Sequence, residues 1–217
     1  MTPHYHAVIT AEAVGKYFDK PALRQIVVAN IAQDSISSLF GARPEVHFDD
    51  DLVAAGLGYV ETEHRRIAAL AAQTGTAAAQ RAAFGRLCHT AQDLYAHSNY
   101  VRLWLDAHGG LQATRPEDMD ALDAGILGSS KLKTGHYAFW HFLAYSIPGV
   151  SWVMRRIGVP PGSHEAMNLD KPSRGPEFPY AFAAARARTE HEYRRAAAAV
   201  LANGGQAALD LFHRSLR

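Results

Sequence analysis

The sequence predicts an all-α, multi-helix bundle. Apolar-periodic stretches recur without the strict alternation of a strand, and Pro and Gly punctuate them at helical lengths. Within "RLCHTAQDLYAHSN", three side chains able to bind metal, His89, Asp93 and His97, repeat every fourth residue. A step of four residues advances ~400° around a helix axis, so the three project from one side. The 217 residues suit one domain, 1–217, with length enough for a hydrophobic core.

The elements follow from local chemistry. "TAEAVGKYF" opens on Thr10 as an N-cap, and "PALRQIVVANIAQDSISSLF" starts with Pro21, favoured in a first helical turn. The polar stretch "GARPEVHFDDD" interrupts the pattern. "YVETEHRRIAALAAQ" is a helix, and "TAAAQRAAFGRLCHTAQDLYAHSNYVRLWLDAH" is a single long one closed by Gly109 and Gly110. Residues 110–177 mix Gly, Pro and aromatics, and "HYAFWHFLAYSI" there fits a buried helix or a strand. The Ala-rich "FPYAFAAARARTEHEYRRAAAAVLAN" ends at Gly204 and Gly205, and "QAALDLFHRSLR" forms a short last helix. No internal repeat or low-complexity tail is present.

Composition excludes several classes. With 48% apolar and 20% charged residues and a net charge of +1, the chain has no strong field toward nucleic acid or an anionic membrane. Its single cysteine, Cys88, rules out intrachain disulfides and a cysteine-rich zinc site, and reads as a small buried residue. "MTPHYHAVIT" lacks the basic start and apolar core of a secretory signal, and no run of 18 apolar residues occurs, so a cytoplasmic protein is expected.

The twelve histidines are dispersed rather than clustered as a tag. Two imidazoles and a carboxylate on one helical stripe suit a borderline divalent cation, zinc above all; the plainer alternative is a polar face with incidental histidines. Zinc wants about four ligands, so other segments must contribute. His6 in "PHYHAVIT" is placed to do so, whereas His4 reads as solvated. Asp34 in "NIAQDSISS" sits among Val27, Val28, Ile31 and Ile36, where it is either buried with a counter-charge or on a solvated face with Asn30 and Ser38. His47 in "VHFDDD" is a third candidate, while Asp49, Asp50 and Asp51 read as charges favouring the dipole of the following helix. His64 is expected on a charged face, His108 at a helix end, His213 in the last helix, and His136 and His141 as packed rings, with His136 also able to line a cleft.

In chain order the candidates are His6, Asp34, His47, His89, Asp93 and His97. This order, with "CHTAQDLYAHSN" as the signature helix, resembles the zinc-dependent phospholipase C superfamily and especially its Het-C-like branch, over residues 4–100. The resemblance implies a helical bundle of the phospholipase C and zinc-nuclease type that grips two or three zinc ions. Asp34, His47, His89 and Asp93 would form the core site, Asp93 would bridge toward a second metal near His6, and His97 would serve a third. The chain departs from the family in three places. Met1 stands where the secreted phospholipases carry a mature tryptophan, Asp93 and His97 are more closely spaced, and the final histidine–glutamate pair has no direct counterpart. Substitutes are His164 with Asp170 in "GSHEAMNLDKP", or His191 in "RTEHEY"; His164 is preferred because Gly162 and Pro172 delimit a compact polar loop.

The implied activity is hydrolysis of a phosphodiester, with Asp34 as general base and a phospholipid as the expected substrate. Phe139, Trp140, Phe142, Tyr145 and Trp152 would line an acyl-chain wall or fill the core. The alternatives are a single-strand-specific nuclease, which the near-neutral charge disfavours, and a non-enzymatic Het-C-like recognition or incompatibility protein with a structural zinc.

Overall fold

The computed structural model describes residues 1–34, 43–136, 149 and 162–215. It is all-α: the described residues contain helices and only two isolated bridges, Ser98–Thr134 and His136–Ser163. No described helix is long and apolar enough to cross a membrane.

The first helix, α1 (Pro3–Val14), starts earlier than expected, with Pro3 in its first turn. Thr10 is therefore not a cap. It lies fully buried in mid-helix with its hydroxyl hydrogen-bonded to two side-chain amides. Helix α2 (Lys20–Ile31) begins where Pro21 indicated, capped by the Asp19 carboxylate accepting the Ala22 N–H at 2.8 Å, and ends in a 3₁₀ turn at Ala32–Asp34. The rest of that predicted helix lies outside the described residues. A single turn, α3 (Pro44–His47), is closed by Phe48 in the left-handed region, and Asp50 and Asp51 also have positive φ. Next come α4 (Val53–Ala71) and α5 (Ala77–His97).

The predicted single helix over 76–108 is broken at Ser98, whose extended backbone separates α5 from α6 (Tyr100–Ala107). The cause is local. The Ser98 hydroxyl donates to the Leu94 carbonyl and accepts the Tyr100 N–H at 3.2 Å, so a side chain takes over two backbone partners. Asn99 then turns outward, its amide spanning Lys131 O and Lys133 N at 2.9 and 2.8 Å. Helix α6 closes on Gly109 and Gly110 as expected. The short turns α7 (Ala124–Leu127) and α8 (His164–Met167) are capped by Asp123 and Ser163. The long α9 (Phe178–His213) breaks at Gly205 with φ of 73°, which divides the two predicted C-terminal segments.

Helix α5 is the axis of the molecule; α2, α4 and α9 pack around it. One apolar core gathers Ile9, Phe48, Leu94, Tyr95, Tyr100, Trp104 and Tyr180. The other gathers Val14, Phe18, Ile26, Ile67, Phe84, Leu87, Cys88, Val200 and Phe212. Both draw on α1 and α5, and where they meet lie His6, Thr10, His89, Gln92 and Asp93, all fully buried. Gly85 lets α2 come close: a Cβ there would meet Ile26 O at 2.3 Å and Ala29 Cβ at 2.8 Å. One turn later α5 presents His89, beside Asn30 and the Asp34 turn. At the other end of α2, buried Arg81 donates to Leu211, Phe212 and Arg214 carbonyls and to Gln25, tying α5 to α2 and to the end of α9.

Several histidine expectations resolve here. His64 is not solvated. It is 7% exposed, with Nε2 2.5 Å from Glu192 Oε2, and Arg188 and Arg195 also reach that carboxylate. Its own helix reads as charged, but the partner arrives from α9, 128 residues away. Burial opposes ionisation of Glu192, yet the His64 hydrogen bond and the Arg188 charge hold its carboxyl at about 2. His108 caps α6, stacked on Trp104 with Nδ1 2.7 Å from the Trp104 carbonyl, and His213 meets the Tyr193 hydroxyl at 2.9 Å. Cys88 is buried and its thiol pKa is pushed well up by that burial, in keeping with a packing role.

Two outcomes follow. Gly85→Ala, by forcing α2 off α5, is expected to cost about 1–3 kcal/mol in chemical denaturation; an unchanged midpoint would mean the helices are not in contact there. Because the Glu192 carboxyl is depressed from its ordinary 4.5 to about 2, its ion pairs stabilise the fold above pH 4.5 and that stability is lost as pH falls toward 2. Urea midpoints measured across that range should fall less steeply for Glu192→Gln than for the wild type, and parallel slopes would contradict the assignment.

Candidate metal centre

The stripe on α5 does what its spacing indicated: His89, Asp93 and His97 face one way, 0%, 0% and 5% exposed. All the other candidates come to it. The α2 turn brings Asp34, α3 brings His47, α1 brings His6, and α8 brings His164. Asp93 is the meeting point. Its Oδ2 lies 3.1 Å from His89 Nε2 and 3.2 Å from His47 Nδ1, while its Oδ1 lies 3.2 Å from His6 Nε2 and 2.5 Å from the Met1 α-amine. Asp34 Oδ1 is 3.6 Å from His89 Nε2 and 3.9 Å from His47 Nδ1, and the two imidazole nitrogens are 3.1 Å apart.

These separations fit a cation. A tetrahedron on ~2.05 Å bonds has ligand-to-ligand edges of ~3.4 Å. The edges that join His47 and His89 to each other and to the Asp34 and Asp93 carboxylates run from 3.1 to 3.9 Å. The ring nitrogens also have the right electronic character. His6 places Nδ1 2.6 Å from Gln92 Oε1, His89 places Nδ1 3.2 Å from Asn30 Oδ1, and His97 places Nδ1 3.1 Å from the His47 carbonyl. An N–H donated from His6 and His89 to these oxygens leaves Nε2 as a lone pair pointing inward, at Asp93 oxygens, whereas His97 keeps a proton up to about pH 9 and turns Nε2 to Asp170. Among the described residues, His6 Nε2 has no hydrogen-bond partner despite its 3.2 Å approach to Asp93, and Asp34 Oδ2 and His47 Nε2 are likewise buried without one. Lone pairs aimed at a carboxylate need a positive charge between them. A proton on His47 Nδ1 can serve the contact with Asp93 Oδ2, and the Met1 amine meets Oδ1 at 2.5 Å; a divalent cation can serve the imidazoles and the carboxylates together.

A further set lies at the C-terminal end of the stripe. His164 Nδ1 is 2.7 Å from Asp49 Oδ1 and its ring lies 4.3 Å from that of His97, while His97 Nε2 is 3.0 Å from Asp170 Oδ1. Among the described residues, three groupings have ligand atoms close enough for one ion: His6 with His89 and Asp93, Asp34 with His47 and His89, and Asp49 with His97 and His164. His164 is the substitute that reaches the stripe. His191 stands part-buried on α9 and joins none of these groupings, with burial lowering its pKa.

The acidic run was misjudged as helix-dipole charge. None of its members lies in the first turn of α4; Asp49 is 5% exposed against His164, and Asp51 exchanges two 2.8 Å hydrogen bonds with Thr134. The segment 134–136 stitches these parts together. Gly135 accepts from Asp50 N and donates to His97 O, and the His136 backbone exchanges hydrogen bonds with Gly162 and His164. A Cβ on Gly135 would lie 2.5 Å from His164 Cα, so only glycine admits the α8 loop. His136 itself is 62% exposed at the edge, 3.8 Å from Asp50 and Asp51. The aromatic wall candidates and His141 lie outside the described residues.

Charges of both signs meet in the cluster. Burial raises the pKa of Asp34. Burial opposes ionisation of Asp93 and Asp170 too, but the Met1 amine and His97 outweigh it and hold both carboxyls well below the usual range. In turn, burial would lower the Met1 amine and His97, but the two carboxylates raise them to about 11 and about 9. His6 and His89 are lowered by burial, His89 to about 4, so both are neutral and available as ligands at pH 7.

Residues 2–109 match the VWA7 N-terminal domain family, a similarity over just under half of the chain. The match takes in His6, Asp34, His47, His89, Asp93 and His97, and stops short of His164 and Asp170. No curated protein and no solved structure matches the chain.

A cation entering beside His97 displaces a proton that the imidazole holds below about pH 9. Zinc affinity, measured by competition with a chelating dye, should therefore climb as pH rises from 6.5 toward 9, by up to about tenfold per unit, and the climb should shrink in His97→Gln. A flat profile in the wild type would exclude His97 as a ligand.

Proposed function

We propose that the chain is a zinc-dependent phosphodiester hydrolase of the zinc-dependent phospholipase C superfamily, Het-C-like branch, built around two or three zinc ions. One observation carries the reading: inward Nε2 lone pairs of buried histidines converge with Asp34 and Asp93 on shared points. Its borderline donor set, imidazole with carboxylate and no thiolate, suits zinc.

A catalytic centre rather than a purely structural one is supported by the way exposure is graded across the cluster. His6, His89 and Asp93 are sealed, whereas Asp34 is 27% exposed, His164 23%, Asp170 19% and His47 13%. A structural zinc is closed on all sides; a catalytic one keeps a face open to substrate. When bound, the ions supply Lewis-acid charge to a phosphodiester. The protein's part is then positional. Asp93, with one oxygen toward His6 and the other toward His47 and His89, would contribute a carboxylate oxygen to each of two ions. Asp34, 27% exposed, stands on the more open side of the cluster, where its carboxylate would take the proton of an attacking water. His97, His164 and Asp49 would hold the third ion, with Asp170 alongside. Phospholipid is the proposed substrate, since the chain's net charge of +1 offers little to track a nucleic acid.

The test is hydrolysis of a chromogenic phosphodiester with zinc counted by elemental analysis. We expect two or more zincs and turnover abolished by chelator, and Asp34→Asn should lose at least about a hundredfold in kcat while keeping most of its metal. One tightly held zinc without turnover would instead mark a recognition protein with a structural ion. Faster cleavage of single-stranded DNA than of phospholipid would mark a nuclease.

A further inference from the structure

Behind the ligand shell lies a buried polar network that the proposed function does not require by name: Thr10 on α1, Asn30 on α2, Gln92 on α5 and Thr189 on α9, each 0% exposed. Its hydrogen bonds have only one consistent polarity. The Thr189 hydroxyl donates to the Ala185 carbonyl at 2.7 Å, one turn back on its own helix, so toward Gln92 it can only accept. The atom of Gln92 that faces Thr189 at 3.0 Å is thereby its amide nitrogen, which also donates to Thr10 at 3.0 Å. The oxygen, Oε1, must then face the other way, toward His6 Nδ1 at 2.6 Å and Asn30 Nδ2 at 3.2 Å. With its nitrogen shared between Gln92 and Thr10, Asn30 turns its own oxygen to His89 Nδ1 at 3.2 Å.

We infer that Gln92 is a positioning residue whose fixed amide sets the tautomer of two histidines at once, His6 directly and His89 through Asn30. Both rings are held with hydrogen on Nδ1 and a lone pair on Nε2. The two rings are stacked with centroids 4.3 Å apart, so a single amide orients neighbouring donors that arrive on different helices. Gln92 lies between the stripe positions His89 and Asp93 in sequence, and points to α1, α2 and α9 rather than to the ligand edge. The order of control runs from Thr189 to Gln92 to Asn30, so an amide flip anywhere along it would present an N–H to a ring N–H and break the chain of donors.

This rests on the reading of the two histidines as metal ligands, and the measurement separates the two claims. Ring ¹⁵N shifts of metal-free protein at about pH 8, where His6 and His89 are neutral, report the tautomer without any metal or activity. The wild type should show His6 and His89 as Nδ1–H. Gln92→Met, close in size but without the acceptor, should move His6 toward the Nε2–H form and weaken zinc binding about 10–100-fold. Gln92→Glu, which keeps an acceptor for His6, should retain its Nδ1–H signature. An Nε2–H signature for His6 in the wild type overturns the inference whatever the variants do, and so does Gln92→Met with wild-type tautomers and wild-type zinc affinity. Nδ1–H tautomers in a wild-type protein that binds no zinc would overturn the proposed function instead.

Discussion

An ionised carboxylate with no exposure to water has to be compensated from every side, and Asp93 imposes that condition on this molecule. Taking such a charge out of water costs several kcal/mol even after relaxation, so its partners are structural necessities before they are anything else. They come from widely separated parts of the chain: the N-terminus and α1, the α3 turn, and α5 itself. The arrangement of the helices around α5 is what lets these groups arrive together. The two oxygens of Asp93 serve two different sets of partners, Met1 and His6 on one side and His47 and His89 on the other.

The supporting framework is as specific as the cluster. Gly85 permits α2 to touch α5 one turn before His89, and Gly135 admits the loop that carries His164. The break at Ser98 ends α5 just after His97, so the stripe stops at the mouth of the cluster and the chain turns away into α6. Leu169 N bonds to Ala96 O at 2.8 Å, anchoring Asp170 at the same end. The sealed inner half is thus built by the helices, and the more exposed outer half by turns and loops, as is common where a rigid scaffold carries a reactive rim.

Much of this was legible in the residues and some of it was not, for physical reasons. Periodicity placed α5 and its three ligand candidates on one face because a helix has one dominant geometry. Asp34, His6 and His47 stood out as isolated polar groups in apolar surroundings or at element ends, and all three reach Asp93 or His89. Asn30, for which the spacing left a solvated face open, and His64, expected on a charged one, are buried because their partners sit on other helices, which local spacing does not encode. Gln92 and Thr189 gave no local signal, and Thr10 gave that of a helix cap although it lies buried in mid-helix; Gln92 stands one residue from Asp93 on another face of the same helix. Asp49 resembled a dipole charge because the start of α4 is displaced by the left-handed residues Phe48, Asp50 and Asp51. The serine break was invisible to a periodicity that continues across it.

The central claim is that cations sit where these lone pairs converge. Crystals of the protein grown with zinc, with anomalous diffraction recorded on either side of the zinc absorption edge, test it most directly. Peaks are predicted at about 2.0–2.2 Å from His89 Nε2, His47 Nδ1 and an Asp93 oxygen in one position, and from His6 Nε2 and the other Asp93 oxygen in a second. An ordered structure in which Asp93 contacts only protein groups, with zinc bound elsewhere or nowhere, would contradict the account.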